Sequence, residues 1–335
     1  MSPIFMIGTQ RSGSNLLRLM MNQLDDIASP HPPHILERIM PLLGKYGDLN
    51  TDKNFETLVN DVCRLVETNP VEWMDMKLDR EDITRRCKNR SLMAVYGAIY
   101  DVYAELKQAS TWCCKSLANI KYINEIEAYY PDAKYIYLYR DGRDVALSFQ
   151  KAVVGEKHIY NIAKDWSDTQ EIAISLGKKL SDKRFFAVSY EQLTSETEDT
   201  AKSLCNFLEV DFDLGMFEFH KTDEAKNAAT SSDLWKNVTQ PVLNNNSNKF
   251  LANMPQHELE IFESVAGHVL DELGFNRCMI EKGKEMQFTD EDIQAFNRLN
   301  QQQKEQSMKK IDKEDMLRRL RQSALLDEIK SRKAA

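Results

Sequence analysis

The chain has 335 residues, 42% of them apolar, and a formal net charge of −8. That length and apolar share suffice for one large α/β domain or two smaller ones, while the acidic balance argues against a nucleic acid held on a generally basic surface. No apolar run approaches the ~20 residues that cross a bilayer, and Gly8 and Arg11 interrupt the N-terminal apolar stretch, so no secretory signal core is read there and the default location is cytoplasmic.

A strand is expected at Pro3 to Ile7. The turn Gly8-Thr9-Gln10-Arg11-Ser12-Gly13-Ser14 follows, then a helix whose Leu16, Leu17, Met20 and Leu24 recur at helical spacing. A strand, a tight turn and a fresh helix start make an anion site. The first N–H groups of a helix have no intrahelical partner, the macrodipole adds partial positive charge, and glycines let an anion approach the backbone. Arg11, Ser12 and Ser14 add side-chain donors. Gly8 and Gly13 have the spacing of the P-loop, but Ser14 and Asn15 follow Gly13, so the lysine that reaches the terminal phosphates of ATP is missing. The basic group stands inside the loop, at Arg11.

Farther on, Ser29 to Glu37 holds His31, His34 and Glu37 among Pro30, Pro32 and Pro33, which stiffen the backbone. Residues 34–110 carry apolar positions at helical spacing, with turn material at Gly44 to Asn54 and at Asn69-Pro70, and read as a largely helical insert. Residues 111–114 give a strand whose adjacent Cys113 and Cys114 point to opposite faces, so a bond between them is strained and packing is their expected role. The six cysteines, at 63, 87, 113, 114, 205 and 278, show no C-x-x-C spacing and read as reduced thiols.

A helix at 118–130 precedes the aromatic and β-branched run Tyr135 to Tyr139, a buried strand with Arg140 at its C-terminal end. In an open α/β sheet ligands bind at that end. Asp141-Gly142 turns the chain into a helix from Arg143 to Lys151, placing Ser148 eight residues after Arg140. Arg140 and Ser148 then grip one phosphate from two sides, unless Arg140 is taken up in an ion pair with Asp141 or Asp144. The helix at 160–180 and strand at 184–189 continue the alternation, which predicts an α/β fold with a mainly parallel sheet and helices on both faces. A helix is expected at Thr197 to Leu208, a long polar loop at 222–249 containing Trp235-Lys236-Asn237, and a helix at 256–273 capped by Gly274.

The tail from 281 to 335 has 13 Lys and Arg against 11 Asp and Glu, unlike the acidic body. Thr289 with Asp292 makes a capping-box start, and Ile293, Phe296 and Leu299 give a narrow apolar stripe that Gln301 to Ser307 interrupts. Met308, Ile311, Met316, Leu320 and Leu326 or Ile329 give a second stripe. Two helices are expected, packed on the body or on another copy, so a homo-oligomer through them stays open. The boundaries read as a domain at 1–280 and a charged helical extension at 281–335.

These segments resemble the sulfotransferases that use 3′-phosphoadenosine 5′-phosphosulfate (PAPS). The first loop is similar to their 5′-phosphosulfate loop, and Arg140 through Ser148 to their 3′-phosphate motif. Phe185 to Leu193 resembles their strand and Tyr-Glu-x-Leu turn. The resemblance implies a P-loop NTPase-like sulfotransferase fold, with Gln10, Arg11, Ser12, Gly13, Ser14, Asn15, Arg140, Ser148, Tyr190, Trp235 and Lys236 at the cofactor. It further implies a small-molecule or glycan acceptor, adenosine 3′,5′-bisphosphate as product, and no metal. Catalysis needs in-line placement, stabilisation of charge on the leaving phosphate, and a base for the acceptor proton. Arg11 and Lys115 suit the second need. The histidine that cytosolic relatives often carry two residues after that lysine is Leu117 here. Another branch of the family places a glutamate shortly after the first helix, a position that falls on His31, and histidine accepts a proton near neutrality, so His31 is ranked first as base, then Glu37, then His34. A P-loop kinase, or a non-catalytic nucleotide-binding protein of the same fold, is the alternative.

Overall fold

The computed structural model describes residues 2–231, 237–311 and 313–333. Strand β1 (Ile4–Gly8) leads into helix α1 (Ser14–Met21) and a two-residue strand β2 (Ile27–Ala28). The insert comprises α2 (Ile35–Ile39), a 3-10 segment (Met40–Lys45), α3 (Asp52–Glu67), α4 (Arg80–Arg86) and α5 (Leu92–Leu106). Strand β3 (Thr111–Cys114), a 3-10 segment (Leu117–Tyr122) and α6 (Ile123–Tyr129) lead to β4 (Lys134–Tyr139), α7 (Gly142–Lys151), α8 (Ile159–Lys179) and β5 (Phe185–Ser189). The remaining helices of the body are α9 (Tyr190–Ser195), α10 (Thr197–Leu208), α11 (Asp223–Ser231), α12 (Phe250–Asn253) and α13 (Gln256–Glu272). The extension is α14 (Asp290–Met308) and α15 (Lys313–Ser331).

Among the described residues five strands, all parallel, lie in the order β2-β3-β1-β4-β5. Side chains alternate between the faces of a strand, and two cores result. Phe5 and Ile7 of β1 join Tyr135 and Tyr137 of β4 in the core beneath α3 and α5. Ile4 and Met6 join Ile136 and Leu138 in the core beneath α1 and α10. Strands covered on both faces are apolar throughout, as β1 is. From β1 the chain moves to β2 and β3 on one side, then returns to β4 on the other. Loops after β1 and β4 therefore diverge, and a crevice opens beyond their C-terminal ends.

Both extension helices pack on the body. Asn300 of α14 accepts from the N–H groups of Lys157 and His158, at 2.8 and 3.0 Å, and Phe296 stacks on His158 at 4.7 Å. Helix α15 buries Leu325 and Ile329 beside α3.

Three expectations need correction. Helix α11 lies inside the stretch read as loop, because Thr222 Oγ1 caps its start and Ala225 and Ala228 give it a buried side of strong helix formers. Helix α14 runs through Gln301 to Ser307 to Met308, since glutamines favour helix even where the apolar stripe lapses. The helix expected at 118–130 begins as the 3-10 segment. Among the described residues no helix is long and apolar enough to cross a membrane.

Candidate active site

The loop after β1 owes its path to glycine at two places. Gly8 has φ +131°, and a Cβ there stands 2.2 Å from the Leu138 carbonyl oxygen on β4. Gly13 has φ +87°, and its Cβ stands 2.5 Å from Cδ2 of Tyr190. Between them Arg11 is itself left-handed, at φ 73°, which costs a non-glycine residue about 1 kcal/mol or more. Thr9 is tied to the body: Gln170 Nε2 donates to its Oγ1 at 2.6 Å, and Tyr137 Oη donates to Gln170 Oε1 at 2.6 Å. Helix α1 begins with no side-chain cap and no acid in its first turn. Its leading N–H groups are thus left to whatever lies beside Ser14, Asn15 and Leu16, which line a cleft of about 640 Å³.

Arg11 and Arg140 meet at this cleft. Arg11 Nε donates to Ser148 Oγ on α7 at 2.8 Å, and Arg140 Nη1 donates to the Arg11 carbonyl oxygen at 3.1 Å. Arg140 also donates to the Asn246 carbonyl oxygen and lies over the Tyr190 ring at 4.4 Å, while Asn246 Nδ2 donates to Tyr190 Oη at 2.9 Å. The ion pair with Asp144 is present at 3.5 Å, yet it leaves Arg140 Nε buried with no partner among the described residues. Burial, with Arg140 nearby, lowers the Arg11 pKa to about 10. A buried guanidinium with an unused donor beside a second one fits phosphate oxygens.

Lys115 follows β3, and its Nζ donates to Asn15 Oδ1 at 2.7 Å in the first turn of α1. Burial, then the charge of Arg18, lowers its pKa from 10.5 to about 7. Its neighbour Ser116 lies with Oγ 2.9 Å from His34 Nδ1, and the Glu37 carboxylate stands 3.3 Å from the same nitrogen. Burial lowers the His34 pKa while Glu37 opposes the shift, and the hydrogen bond to His34 lowers that of Glu37. His31 is buried, and its carbonyl oxygen accepts from Trp73 Nε1 at 2.7 Å and Asn69 Nδ2 at 3.3 Å. Burial, then the charges of Lys115 and Arg18, pushes its pKa well below the usual histidine value.

Gln10, Arg11, Gly13, Ser14, Asn15, His31, His34, Glu37, Lys115, Arg140, Ser148 and Tyr190 therefore share one cleft. Ser12 does not line it: its hydroxyl is buried behind the loop with no partner among the described residues. Trp235 and Lys236 lie outside the described residues, whereas Asn237 lines the cleft. Sequence reasoning missed Asn246, and it missed Arg18, which is wholly buried and bonded to the Ser29 carbonyl oxygen and to Glu224 on α11. An arginine between Leu17 and Leu19 on an apolar helix is a signal for the second; the first has no local signal. Among the described residues no group of three His, Cys, Asp or Glu side chains is placed to hold a metal ion.

Comparison with known proteins gives the following. A family model described as the sulfotransferase family matches residues 3–214. An uncharacterized protein of Aquifex aeolicus (strain VF5) is 24% identical over 245 residues, 70% of this chain and 29% of its own length. Protein-tyrosine sulfotransferase A of Caenorhabditis elegans is 21% identical over 282 residues, 82% of this chain and 67% of its own length. Among solved structures, the sulfotransferase domain from the curacin biosynthetic pathway superposes with a TM-score of 0.55 at 17% identity, covering 83% of this chain and 99% of that domain. That likeness shows a shared fold.

Proposed function

The chain belongs to the sulfotransferase family, and on that premise we propose that it moves a sulfuryl group from PAPS to an acceptor hydroxyl or amine, leaving adenosine 3′,5′-bisphosphate. One observation carries the reading: the buried guanidinium of Arg140 and the half-buried Arg11 stand together at the uncapped N-terminus of α1. The unused Arg140 Nε and the glycine-lined path of the loop suit a nucleotide phosphorylated at two positions. Gln10, Arg11, Gly13, Ser14 and Asn15 would hold the 5′ end. Arg140 and Ser148 would hold the 3′-phosphate, with Tyr190 beneath Arg140. Trp235 and Lys236 keep the cofactor role that the resemblance gives them.

Bound there, the donor supplies an activated sulfuryl group and a phosphate leaving group. Arg11, Lys115 and the open N–H groups of α1 stabilise the charge that develops on that phosphate. The acceptor proton goes to a base in the cluster of His31, His34 and Glu37. Of the three, His34 has the arrangement of an oriented base, because Glu37 holds one of its ring nitrogens and favours the imidazolium that forms. His31 gains its proton beside two cations, Lys115 and Arg18, which makes it the weaker base. Helix α2 and Asn69 to Val71 of the insert wall the acceptor end, where a small-molecule or glycan acceptor enters.

Calorimetric titration tests the reading. Adenosine 3′,5′-bisphosphate should bind at least about tenfold more tightly than ATP, and labelled sulfuryl should pass from PAPS to members of an acceptor panel. ATP binding as well as the bisphosphate, or no bisphosphate binding, overturns it.

A further inference from the structure

Helix α15 brings one side chain of the extension, Arg319, into the wall of the cleft. Its placement is fixed by contacts farther along the helix. Leu325 and Ile329 are buried, Gln322 Nε2 donates to the Leu65 carbonyl oxygen at 2.9 Å, and Arg332 pairs with the buried Asp61. These contacts hold α15 against α3 and against the 3-10 segment that directly follows α2, and Arg319 comes to stand near Arg38 of α2.

Arg38 also lines the cleft, half-buried, and its guanidinium makes no hydrogen bond or ion pair with any described residue. The adjacent Glu37 carboxylate is engaged with His34 at 3.3 Å. Arg319 donates from Nε to Asp315 Oδ1 at 2.9 Å, and both of its terminal nitrogens lack a partner among the described residues. Burial lowers the Arg38 pKa, the charge of Glu37 opposes that shift, and the approach of Arg319 adds to it. Partly desolvated guanidiniums of like charge oppose folding unless an anion joins them. Each presents the planar donors that a carboxylate, phosphate or sulfate accepts.

We propose that Arg38 and Arg319 form an acceptor subsite for an anionic group, so that the acceptor is a molecule carrying a carboxylate, phosphate or sulfate besides the hydroxyl or amine that is modified. This rests on the sulfotransferase reading, since it takes the α2 side of the cleft as the acceptor end. The extension is then part of the specificity apparatus through Arg319.

The test uses the full chain saturated with adenosine 3′,5′-bisphosphate, which occupies the loop, and titrates in benzoate, phenyl phosphate and benzamide. The two anions should bind about tenfold or more tightly than benzamide. Arg38→Met and Arg319→Met should each cut that preference to about twofold, with bisphosphate affinity unchanged and the melting temperature of the anion-free protein not lowered. No preference for anions in the wild-type protein overturns the proposal. So does a preference that survives both variants, which places the anion beside Arg11 instead. If the bisphosphate itself fails to bind, the sulfotransferase reading falls, and the same titrations of the unliganded chain still decide whether the arginine pair holds anions.

Discussion

The turns after β1 and β4 have the same outline, a strand, a turn and a helix, and opposite bookkeeping. After β4, Asp141 accepts from the Arg143 N–H at 2.9 Å and binds the Arg143 guanidinium through both carboxylate oxygens, at 3.0 and 2.7 Å. Arg143 in turn reaches Glu263 at 2.7 Å, which also accepts from the N–H groups of Cys278, Met279 and Ile280. Two buried groups of that turn, Arg140 Nε and Asp144 Oδ2, lack a hydrogen-bond partner among the described residues, and these two side chains form an ion pair at 3.5 Å. After β1 there is no cap, Arg11 is left-handed, and the Ser12 hydroxyl is buried without a partner among the described residues. The first turn carries unused hydrogen-bonding capacity and backbone strain, both of which an anion at the helix start would exploit; the second is a rigid mount for one arginine.

The comparison is broken most directly by exchanging the roles. Arg11→Ala should lower single-turnover sulfuryl transfer by about 10²- to 10³-fold and leave the denaturation midpoint nearly unchanged, because it deletes only one side-chain hydrogen bond, to Ser148, and alanine bears the same left-handed φ. Asp141→Ala should do the reverse. It removes the cap of α7 and one of the two carboxylates on buried Arg143, at a cost of about 2 to 4 kcal/mol in urea unfolding. If Arg11→Ala unfolds the protein and Asp141→Ala leaves the midpoint where it was, the contrast between the turns is gone.

Arg140→Ala sharpens the contrast by separating the two ends of the nucleotide. It should weaken adenosine 3′,5′-bisphosphate by about 30-fold and adenosine 5′-monophosphate by no more than about threefold, since only the first carries a 3′-phosphate. Equal losses for both ligands, read by calorimetry, would move Arg140 to the 5′ end.

The sequence made one side of this contrast plain and hid the other. Gly8, Arg11, Gly13 and Ser14 announce an anion loop because its chemistry is local: glycine spacing, a strand before, a helix after. Arg140 and Ser148 line the same cleft, and their pairing across a strand end and the next helix is local in the same way. That Ser148 would spend its hydroxyl on Arg11, 137 residues away, is not legible locally, since the contact depends on how β1 and β4 pair. The insert was recognised as helical from its periodicity, whereas the unpaired state of Arg38 follows from where Glu37 turns. The polar residues that dominate 222–249 hide helix α11, although its Glu224 holds the buried Arg18. The extension was read as two helices, and the break between them was misplaced because an amphipathic stripe reports which side is buried, not where a helix stops.

The smallest expected effect is a fraction of a proton, and it bears on the same loop. Lys115 has a native pKa of about 7 against 10.5 when unperturbed, because burial disfavours its ammonium. Between those values the unfolded chain holds a proton that the native chain has released, so this residue makes stability rise with pH across that window. A phosphate at the start of α1 reverses the balance, since the anion stabilises the ammonium and raises its pKa. Binding of the bisphosphate at pH 8 should therefore draw in about 0.8 proton more in the wild-type protein than in Lys115→Met, measured by calorimetry in buffers of different ionisation enthalpy. Identical uptake in the two proteins would mean that the ammonium does not face the bound phosphate, and the stabilisation of the leaving group would then rest on Arg11 and the open helix terminus alone.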